Sequence, residues 1–345
     1  MQTFKDILGQ AQALEWLRRA YQAGRLPHGL IFAGPVGVGK GTTAQVLAAL
    51  FLCENPQDAQ PCGRCPSCVV LAAGNHPDYH LVYRQLLRLE YKDRKAIDLS
   101  IDVIRPHLIE PAAHKSILGR GKVFVIEQAD LMTAGAQNAM LKTLEEPAGP
   151  TLIILLTDQP GALLPTIQSR CQLVRFAALD DSLVCRELEK RGISPHDAAD
   201  AAAFADGSLG LALKWLEDGV IVHARELRTR LESMLAGQLM TDLPDWFKNV
   251  AEEYAEKQLE HDELASKDQA NREALGLYLR LAGQFLRRRL PQQTQSDSLD
   301  ALCSAIEALA RAELYLDSNV NISLIFQQLA VTLERLFAAS AIARR

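Results

Sequence analysis

The hydrophobic residues of the chain follow one pattern up to about residue 176 and a different one after it. In the first part, short apolar runs bounded by polar or glycine-containing turns alternate with longer amphipathic segments. Short runs of this kind predict buried strands, and the amphipathic segments predict helices. The predicted strands are residues 30–33, 79–83, 123–126, 151–156 and 173–176. Strands that alternate with helices imply an α/β fold whose parallel sheet is covered on both faces.

After residue 176 the pattern becomes helical throughout. Short helices are predicted at residues 182–191, 196–205 and 208–217, and nearly everything from residue 220 to residue 345 has helical character. We therefore expect three domains. They are an α/β domain over 1–177, a small helical domain over 178–220 and an all-helical domain over 221–345.

A glycine-rich loop follows the first predicted strand and reads Gly-Pro-Val-Gly-Val-Gly-Lys-Gly-Thr over residues 34–42. Its spacing fits G-x-x-x-x-G-K, and the motif requires the strand–loop–helix context that is predicted here. Backbone N–H groups of such a loop, together with the positive end of the following helix, favour phosphate. The candidate nucleotide-binding residues in the loop are Gly34, Gly37, Gly39, Lys40, Gly41 and Thr42. A glycine-rich turn without a ligand remains the alternative.

One position of the loop departs from the motif. The residue after Lys40 is usually Ser or Thr, whose hydroxyl binds Mg²⁺, whereas this chain has Gly41 and then Thr42. The departure leaves ATP or ADP binding possible and puts Mg²⁺ coordination in doubt. A Gly-Lys-Gly-Thr loop also occurs in nucleoside monophosphate kinases, so phosphotransfer to a nucleoside monophosphate stays open as a function of another class.

The strand at 123–126 is followed by Glu127 and Gln128. Nucleotide-hydrolysing enzymes with such a loop place an acidic residue after a neighbouring strand, where it holds Mg²⁺. Glu127 fits that role, but Gln128 is unable to act as a carboxylate base, and the loss of a general base costs about 10²–10⁴ in rate. The two residues therefore indicate a site that binds nucleotide without turning it over, unless they are ordinary polar residues at a strand end.

Four of the seven cysteines lie within sixteen residues, with the spacing C-x8-C-x2-C-x2-C. Thiolates separated by two residues on tight turns converge on one tetrahedral Zn²⁺, and four of them close its coordination sphere. We therefore predict a structural zinc site; disulfides or free thiols are the alternative. The predicted ligands are Cys53, Cys62, Cys65 and Cys68.

Composition places the 345-residue chain among ordinary globular proteins, with 48% hydrophobic residues and a net charge of −5. A negative net charge excludes the overall positive charge that is typical of nucleic-acid-binding proteins. We therefore expect any DNA contact to be local or made by partners. There is no apolar run of transmembrane length and no signal-peptide core in the first residues. We therefore expect a cytoplasmic protein that is not bound to a membrane.

Several motifs, taken in order, carry a family resemblance. They are the phosphate loop and four-cysteine insert, Ile-Leu-Gly-Gln at 7–10, Asn-Ala-Met-Leu-Lys-Thr-Leu-Glu-Glu-Pro at 138–147, Ser-Arg-Cys at 169–171 and Ala-Asp-Gly-Ser-Leu at 205–209. Over residues 1 to about 220 the chain resembles bacterial clamp-loader subunits of the AAA+ class, the delta-prime and tau/gamma subunits of DNA polymerase III. The resemblance implies a P-loop AAA+ domain with a zinc-binding insert, a helical lid and an all-α collar domain.

The resemblance also assigns roles to single residues. Arg170 stands where the family presents an arginine to the ATP of a neighbouring subunit, and Thr157 stands at the first sensor position. Gln128 replaces the catalytic glutamate, and Gly210 stands where hydrolysing relatives carry a nucleotide-sensing arginine. Both losses affect the chain's own site and spare Arg170, which is the pattern of delta-prime.

A delta-prime-like role implies weak or no ATP hydrolysis by the chain itself. The implied partners are delta and tau/gamma subunits in a hetero-pentameric ring, with the sliding clamp and primer-template DNA reached through that complex at the replisome on the nucleoid. A catalytically active ATPase of the tau/gamma type is the closest alternative.

Overall fold

The computed structural model describes residues 2–91, 96–261, 266–292, 296–316 and 321–343. The chain divides into two compact units. The first comprises Met1–Ile193 with Ala205–Ala212, and the second comprises Ser194–Phe204 with Leu213–Arg345. The domain boundaries near residues 177 and 220 stay a prediction.

The first unit is built on a five-stranded sheet in which every neighbouring pair of strands is parallel. The strands are β1 (Gly29–Ala33), β2 (Tyr79–Val82), β3 (Lys122–Ile126), β4 (Thr151–Thr157) and β5 (Gln172–Arg175). Their order across the sheet is β2-β3-β4-β1-β5, so β1 lies between β4 and β5. The predicted parallel sheet is confirmed, and each strand lies within two residues of its predicted bounds.

Helices connect the strands and cover the sheet. In chain order they are α1 (Ala11–Gln22), α2 (Lys40–Leu52), α3 (Pro66–Ala72), α4 (Leu87–Glu90), α5 (Ile101–Ile104), α6 (Glu110–Ala113), α7 (Ala134–Glu145), α8 (Pro165–Gln168) and α9 (Asp181–Lys190). A π-helical turn at Arg105–Ile109 joins α5 to α6 and accommodates Pro106, which lacks the N–H that a regular helix needs.

Alternate residues of the strands enter two separate cores because successive side chains of a strand point to opposite faces. Ile31, Phe124 and Ile153 belong to the core shared with α5 and α7. Leu30 and Phe32 belong to the core shared with α1 and α2. Since both faces are covered, all five residues of β1 are buried, which explains its continuous apolar run.

The remaining helices are α10 (Pro195–Ala205), α11 (Leu209–Glu217), α12 (Val220–Leu235), α13 (Leu243–His261), α14 (Lys267–Arg289), α15 (Ser296–Leu316) and α16 (Ile322–Ala343). In the second unit, α14 packs between α13 and α15, and α16 packs on α15. Its core contains the fully buried Phe247, Tyr278 and Phe337. The predicted helical C-terminal part is confirmed, and no helix in the described ranges is long and apolar enough to cross a membrane.

Candidate functional site

The glycine-rich loop joins β1 to α2 and lies at the carboxyl edge of the sheet, where ligands of parallel α/β folds bind. Gly37 and Gly39 have φ angles of 75° and 104°, a region that residues with a Cβ adopt only with strain. Helix α2 begins at Lys40, directly after the left-handed Gly39. The strand–loop–helix arrangement that the motif requires is therefore present, with Gly41 and Thr42 in the first turn of α2.

The charge of Lys40 is directed at the loop's own backbone. Its Nζ donates to the carbonyl of Gly34 and, at 2.7 Å, to that of Pro35. The residue is buried, and the loss of water lowers the pKa of the Lys40 amine, while Asp158 and Asp130 act in the opposite direction. In this arrangement the Lys40 ammonium binds backbone carbonyl oxygens of the loop, whereas the lysine of the motif would bind phosphate oxygens.

The start of α11 covers the loop from one side. The backbone N–H of Gly210 donates to the carbonyl of Gly37 at 2.9 Å. A Cβ on Gly210 would lie 2.8 Å from that same oxygen and 3.0 Å from the Cα of Gly37. Ser208 is buried here, and its Oγ accepts from the N–H of Leu211 at 3.1 Å. Position 210 is thus limited to glycine by contact with the phosphate loop.

Gln10 ties the loop to the chain that follows β5. Its Nε2 donates to the carbonyls of Val38 at 3.2 Å and Ala177 at 2.7 Å, and its Oε1 accepts from the N–H of Ala177 at 3.0 Å. The side chain is 4% exposed. Sequence reasoning placed Gln10 in a family motif without a role; the structure shows that its amide supports the loop.

Two neighbouring strands bring further polar residues to the same edge. Ala33 at the end of β1 pairs with Thr157 at the end of β4, and the N–H of Gly34 donates to the Thr157 carbonyl at 3.2 Å. The Thr157 hydroxyl donates to Oδ1 of Asp130 at 2.8 Å. Asp130 was missed by sequence reasoning because it lies four residues beyond the end of β3, in a short 3₁₀ helix at Ala129–Leu131.

Glu127 and Gln128 directly follow β3, as predicted. Gln128 has a φ of 51°, which turns the chain away from the strand direction. Partial burial raises the pKa of the Glu127 carboxyl, although the residue keeps access to solvent. Asp130 is the carboxylate that accepts from the predicted sensor Thr157, and the role of Glu127 in holding Mg²⁺ stays a prediction.

Arg170 lies at the opposite edge of the sheet from the loop. Arg170 precedes β5, in which Gln172 pairs with Leu30 of β1. The backbone carbonyl of Arg170 lies beside Gly29, the first residue of β1, because a Cβ placed on Gly29 would be 3.2 Å from that oxygen. The five residues of β1 separate these edges by about 16 Å. The structure does not bring Arg170 together with the chain's own phosphate loop.

The guanidinium of Arg170 is held by its own chain. Its Nε donates to Oε1 of Glu145 at 2.7 Å, and its Nη2 forms an ion pair with the same oxygen. Its Nη1 donates to the carbonyl of Thr166 at 3.0 Å and to Oγ of Ser169 at 3.2 Å.

The four predicted zinc ligands converge. The Sγ atoms of Cys53, Cys62, Cys65 and Cys68 all lie within 4.8 Å of one another. Four thiolates at the usual Zn–S distance of about 2.3 Å are about 3.8 Å apart, so small adjustments would accommodate the ion. Successive N–H groups already point at the sulfurs: Cys62 N–H donates to Cys53 Sγ at 3.2 Å and Cys65 N–H to Cys62 Sγ at 3.3 Å.

The thiols differ in how readily they ionise. Backbone N–H groups of Arg64 and Cys65 lower the pKa of Cys62 to about 6, whereas burial raises the pKa values of Cys53 and Cys68. Buried thiolates require a compensating cation, and this all-thiolate donor set suits Zn²⁺. The residues present thus fit the predicted structural metal.

A buried histidine anchors the four-cysteine insert. Nδ1 of His76 accepts from the N–H of Asp78 at 3.1 Å, so the ring proton is on Nε2, which lies 3.0 Å from Oγ of Ser67. The Ser67 hydroxyl in turn donates to the carbonyl of Leu52 at 2.8 Å. His76 lies in the loop after α3 and, through Ser67, joins the insert to the end of α2.

Comparison with known proteins agrees with the family resemblance. Residues 9–180 match the family described as DNA polymerase III, delta subunit. The delta-prime subunit of Pseudomonas aeruginosa DNA polymerase III is 33% identical over 275 residues, which cover 75% of this chain and 80% of that subunit. The delta-prime subunit of Bacillus subtilis is 28% identical over 332 residues, covering 94% of this chain and 96% of that subunit.

A tau subunit gives a narrower match. The tau subunit of Salmonella typhimurium DNA polymerase III is 32% identical over 247 residues, covering 70% of this chain but 37% of the tau subunit. Similarity to delta-prime therefore extends over most of both proteins, whereas similarity to tau is confined to a shared part. The chain belongs to the delta-prime family of DNA polymerase III clamp-loader subunits.

Proposed function

We propose that this chain, as a clamp-loader subunit, lends Arg170 to ATP bound by a neighbouring subunit and turns over little or no ATP at its own loop. The observation that carries the proposal is the position of Arg170 at the sheet edge opposite the loop at 34–40. The separation of about 16 Å along β1 is longer than an arginine side chain spans. A guanidinium at the amino edge is therefore available to a nucleotide outside its own subunit.

The chemistry of a trans arginine supports this role. A guanidinium beside the transferred phosphoryl group stabilises its developing charge, an effect of about 10³–10⁵ in rate in well-studied systems. Arg170 lies in an exposed segment after α8, and its side chain is 35% exposed. It is therefore at the surface, as a group shared with a partner must be.

The chain's own loop serves, in this proposal, as a structural element of the sheet edge. Lys40 is engaged with loop carbonyls, and the start of α11 lies against Gly37. Gln128 lacks a carboxylate, and Gly41 lacks the hydroxyl that Mg²⁺ would need. ATP or ADP would have to displace the Lys40 contacts before its phosphates could bind, and Mg²⁺ would lack the hydroxyl ligand that the motif usually supplies.

Membership of the family supports a proposal about the assembly. We propose that the chain occupies a hetero-pentameric ring with delta and tau/gamma subunits in the cytoplasm, at the replisome. The ring would act on the sliding clamp and on primer-template DNA. With a net charge of −5, this chain would contribute little to general DNA affinity. The zinc insert at 53–68 would be structural, the segment 178–220 a lid, and 221–345 the collar through which subunits assemble.

The test is reconstitution of the clamp loader with Arg170→Ala in this chain. Single-turnover ATP hydrolysis at the neighbouring subunit, stimulated by clamp and primed DNA, should slow by at least about 10³. Arg191→Ala, which removes an exposed arginine after α9, should leave the rate unchanged. An unchanged rate for Arg170→Ala rejects the trans role, and steady hydrolysis by the isolated chain would favour a tau/gamma-type ATPase.

A further inference from the structure

The side chain that binds the guanidinium of Arg170 is the carboxylate of Glu145. Oε1 of Glu145 accepts a hydrogen bond from Nε of the guanidinium and forms an ion pair with Nη2, and these are the two nitrogens that bind carboxylates and phosphates bidentately. The Nη1 group is bonded to Thr166 and Ser169. All three guanidinium nitrogens of Arg170 are thus engaged within its own chain, so a phosphoryl group would have to displace one of these contacts to bind bidentately.

We propose that Glu145 holds the guanidinium of Arg170 in the free subunit. When the ring is assembled, a nucleotide phosphate of the neighbouring subunit replaces Glu145 as the partner of Arg170. This inference rests on the proposed trans role of Arg170. Glu145 is the last residue of α7 and lies, like Arg170, at the amino edge of the sheet. It acts through Arg170 and does not itself contact the nucleotide, so it is a positioning residue.

The ion pair between Glu145 and Arg170 has a specific geometry, but its contribution to the free energy is small. The Glu145 side chain is 47% exposed and that of Arg170 is 35% exposed. Ion pairs with this much solvent access shift an equilibrium by about fivefold or less. The ion pair gives the Arg170 side chain a defined orientation in the free chain. In the assembled ring, a nucleotide phosphate carries more charge than the single carboxylate of Glu145 and therefore replaces it as the partner of Arg170.

A double-mutant cycle in the reconstituted clamp loader tests the exchange. Glu145→Gln keeps the shape of the side chain and removes its charge, so ATP hydrolysis at the neighbouring site should rise by about two- to fivefold. In the Arg170→Ala background the same substitution should change nothing, because there is no guanidinium to release. Glu146→Gln, on the adjacent residue, is the matched control and should leave the rate as it is in the unmodified chain.

The outcomes separate this inference from the proposed function. If Arg170→Ala slows hydrolysis while Glu145→Gln has no effect, lowers the rate, or acts equally in both backgrounds, the exchange is rejected and the trans role stands. If Arg170→Ala has no effect, the trans role fails and the exchange fails with it.

A measurement on the isolated chain reports the pair directly. Hydrogen exchange of the Arg170 Nε–H by NMR should be slow in the unmodified protein and several-fold faster in Glu145→Gln. Equal exchange in the two proteins would show that Glu145 does not hold the guanidinium in solution, which overturns the inference independently of any activity.

Discussion

Gly210 donates its backbone N–H to the carbonyl of Gly37 at 2.9 Å, so a residue of α11 closes directly on the phosphate loop. The contact explains why position 210 carries no side chain here, since a Cβ would lie 2.8 Å from that carbonyl oxygen. In this chain the loop therefore packs against the start of α11.

The contact between Gly210 and Gly37 predicts that one added methyl group at position 210 lowers the free energy of unfolding. Gly210→Ala should destabilise the protein by about 1–3 kcal/mol, because the added Cβ overpacks the loop. Gly135→Ala is the matched control: both glycines are the second residue of a helix, but a Cβ on Gly135 meets nothing closer than 4.0 Å. That control should be neutral or stabilising by up to about 1 kcal/mol, since alanine reduces the freedom of the unfolded chain. Urea unfolding measures both, and equal free energies of unfolding for the two variants would contradict the contact.

The inward position of Lys40 predicts a structural role. Lys40→Met should lower the free energy of unfolding by about 1–3 kcal/mol, because the carbonyls of Gly34 and Pro35 lose a charged donor. The reconstituted clamp loader should nevertheless hydrolyse ATP at an unchanged rate. Lys190→Met, at an exposed end of α9, should change stability by less than about 0.5 kcal/mol. A loss of ATP hydrolysis by a stably folded Lys40→Met complex would indicate a working nucleotide site in this chain.

The four-cysteine cluster predicts one tightly held metal ion per chain. Cys65→Ser should release zinc and lower the free energy of unfolding by more than about 4 kcal/mol, because metal binding and folding of the insert are coupled. Cys303→Ser removes an exposed thiol from α15 and should retain both zinc and stability. Elemental analysis with thermal unfolding measures the two effects. A metal-free wild-type protein of full stability would contradict the assignment.

His76 predicts a pH dependence of stability. Burial lowers the pKa of His76 below its ordinary value of 6.5, so above that pH the ring is neutral in both folded and unfolded states. As the pH falls below 6.5, the unfolded chain binds a proton that the folded chain resists, and stability is lost down to the folded-state pKa.

The stability advantage of the unmodified protein over His76→Gln should therefore shrink between about pH 7 and about pH 5, measured by urea unfolding. His114→Gln, which alters an exposed histidine in the same unit, is the control for replacement of a histidine outside this buried contact. A constant difference between the unmodified protein and His76→Gln across this range would show that His76 is not the group that titrates.

Local patterns were sufficient for the elements of the sheet. Strands β1, β3 and β4 were predictable because they are buried on both faces and therefore appear as largely continuous apolar runs. The convergence of the cysteines was predictable because two-residue spacings bring thiols together within one turn, independently of the rest of the fold.

Other features depended on residues far apart in the sequence. The Thr157–Asp130 hydrogen bond joins the end of β4 to the 3₁₀ helix after β3, and the Gln10 amide contacts Ala177, which lies 167 positions away. His76 was unassigned because its partner Ser67 belongs to a different element, α3. Such contacts follow from strand order and helix packing, which a one-dimensional pattern does not specify.

By itself, then, the sequence determined that the chain has a glycine-rich loop with the spacing G-x-x-x-x-G-K, lacks a second carboxylate directly after β3, gathers four cysteines and carries Arg170 in a family motif. Only the tertiary structure decided that Lys40 points into its own loop, that Gly210 closes on Gly37, and that Arg170 lies at the far edge of the sheet beside Glu145. The reason is physical. Residue types set which groups are available for chemistry, whereas the parallel sheet, with its two edges about 16 Å apart, sets which of them meet.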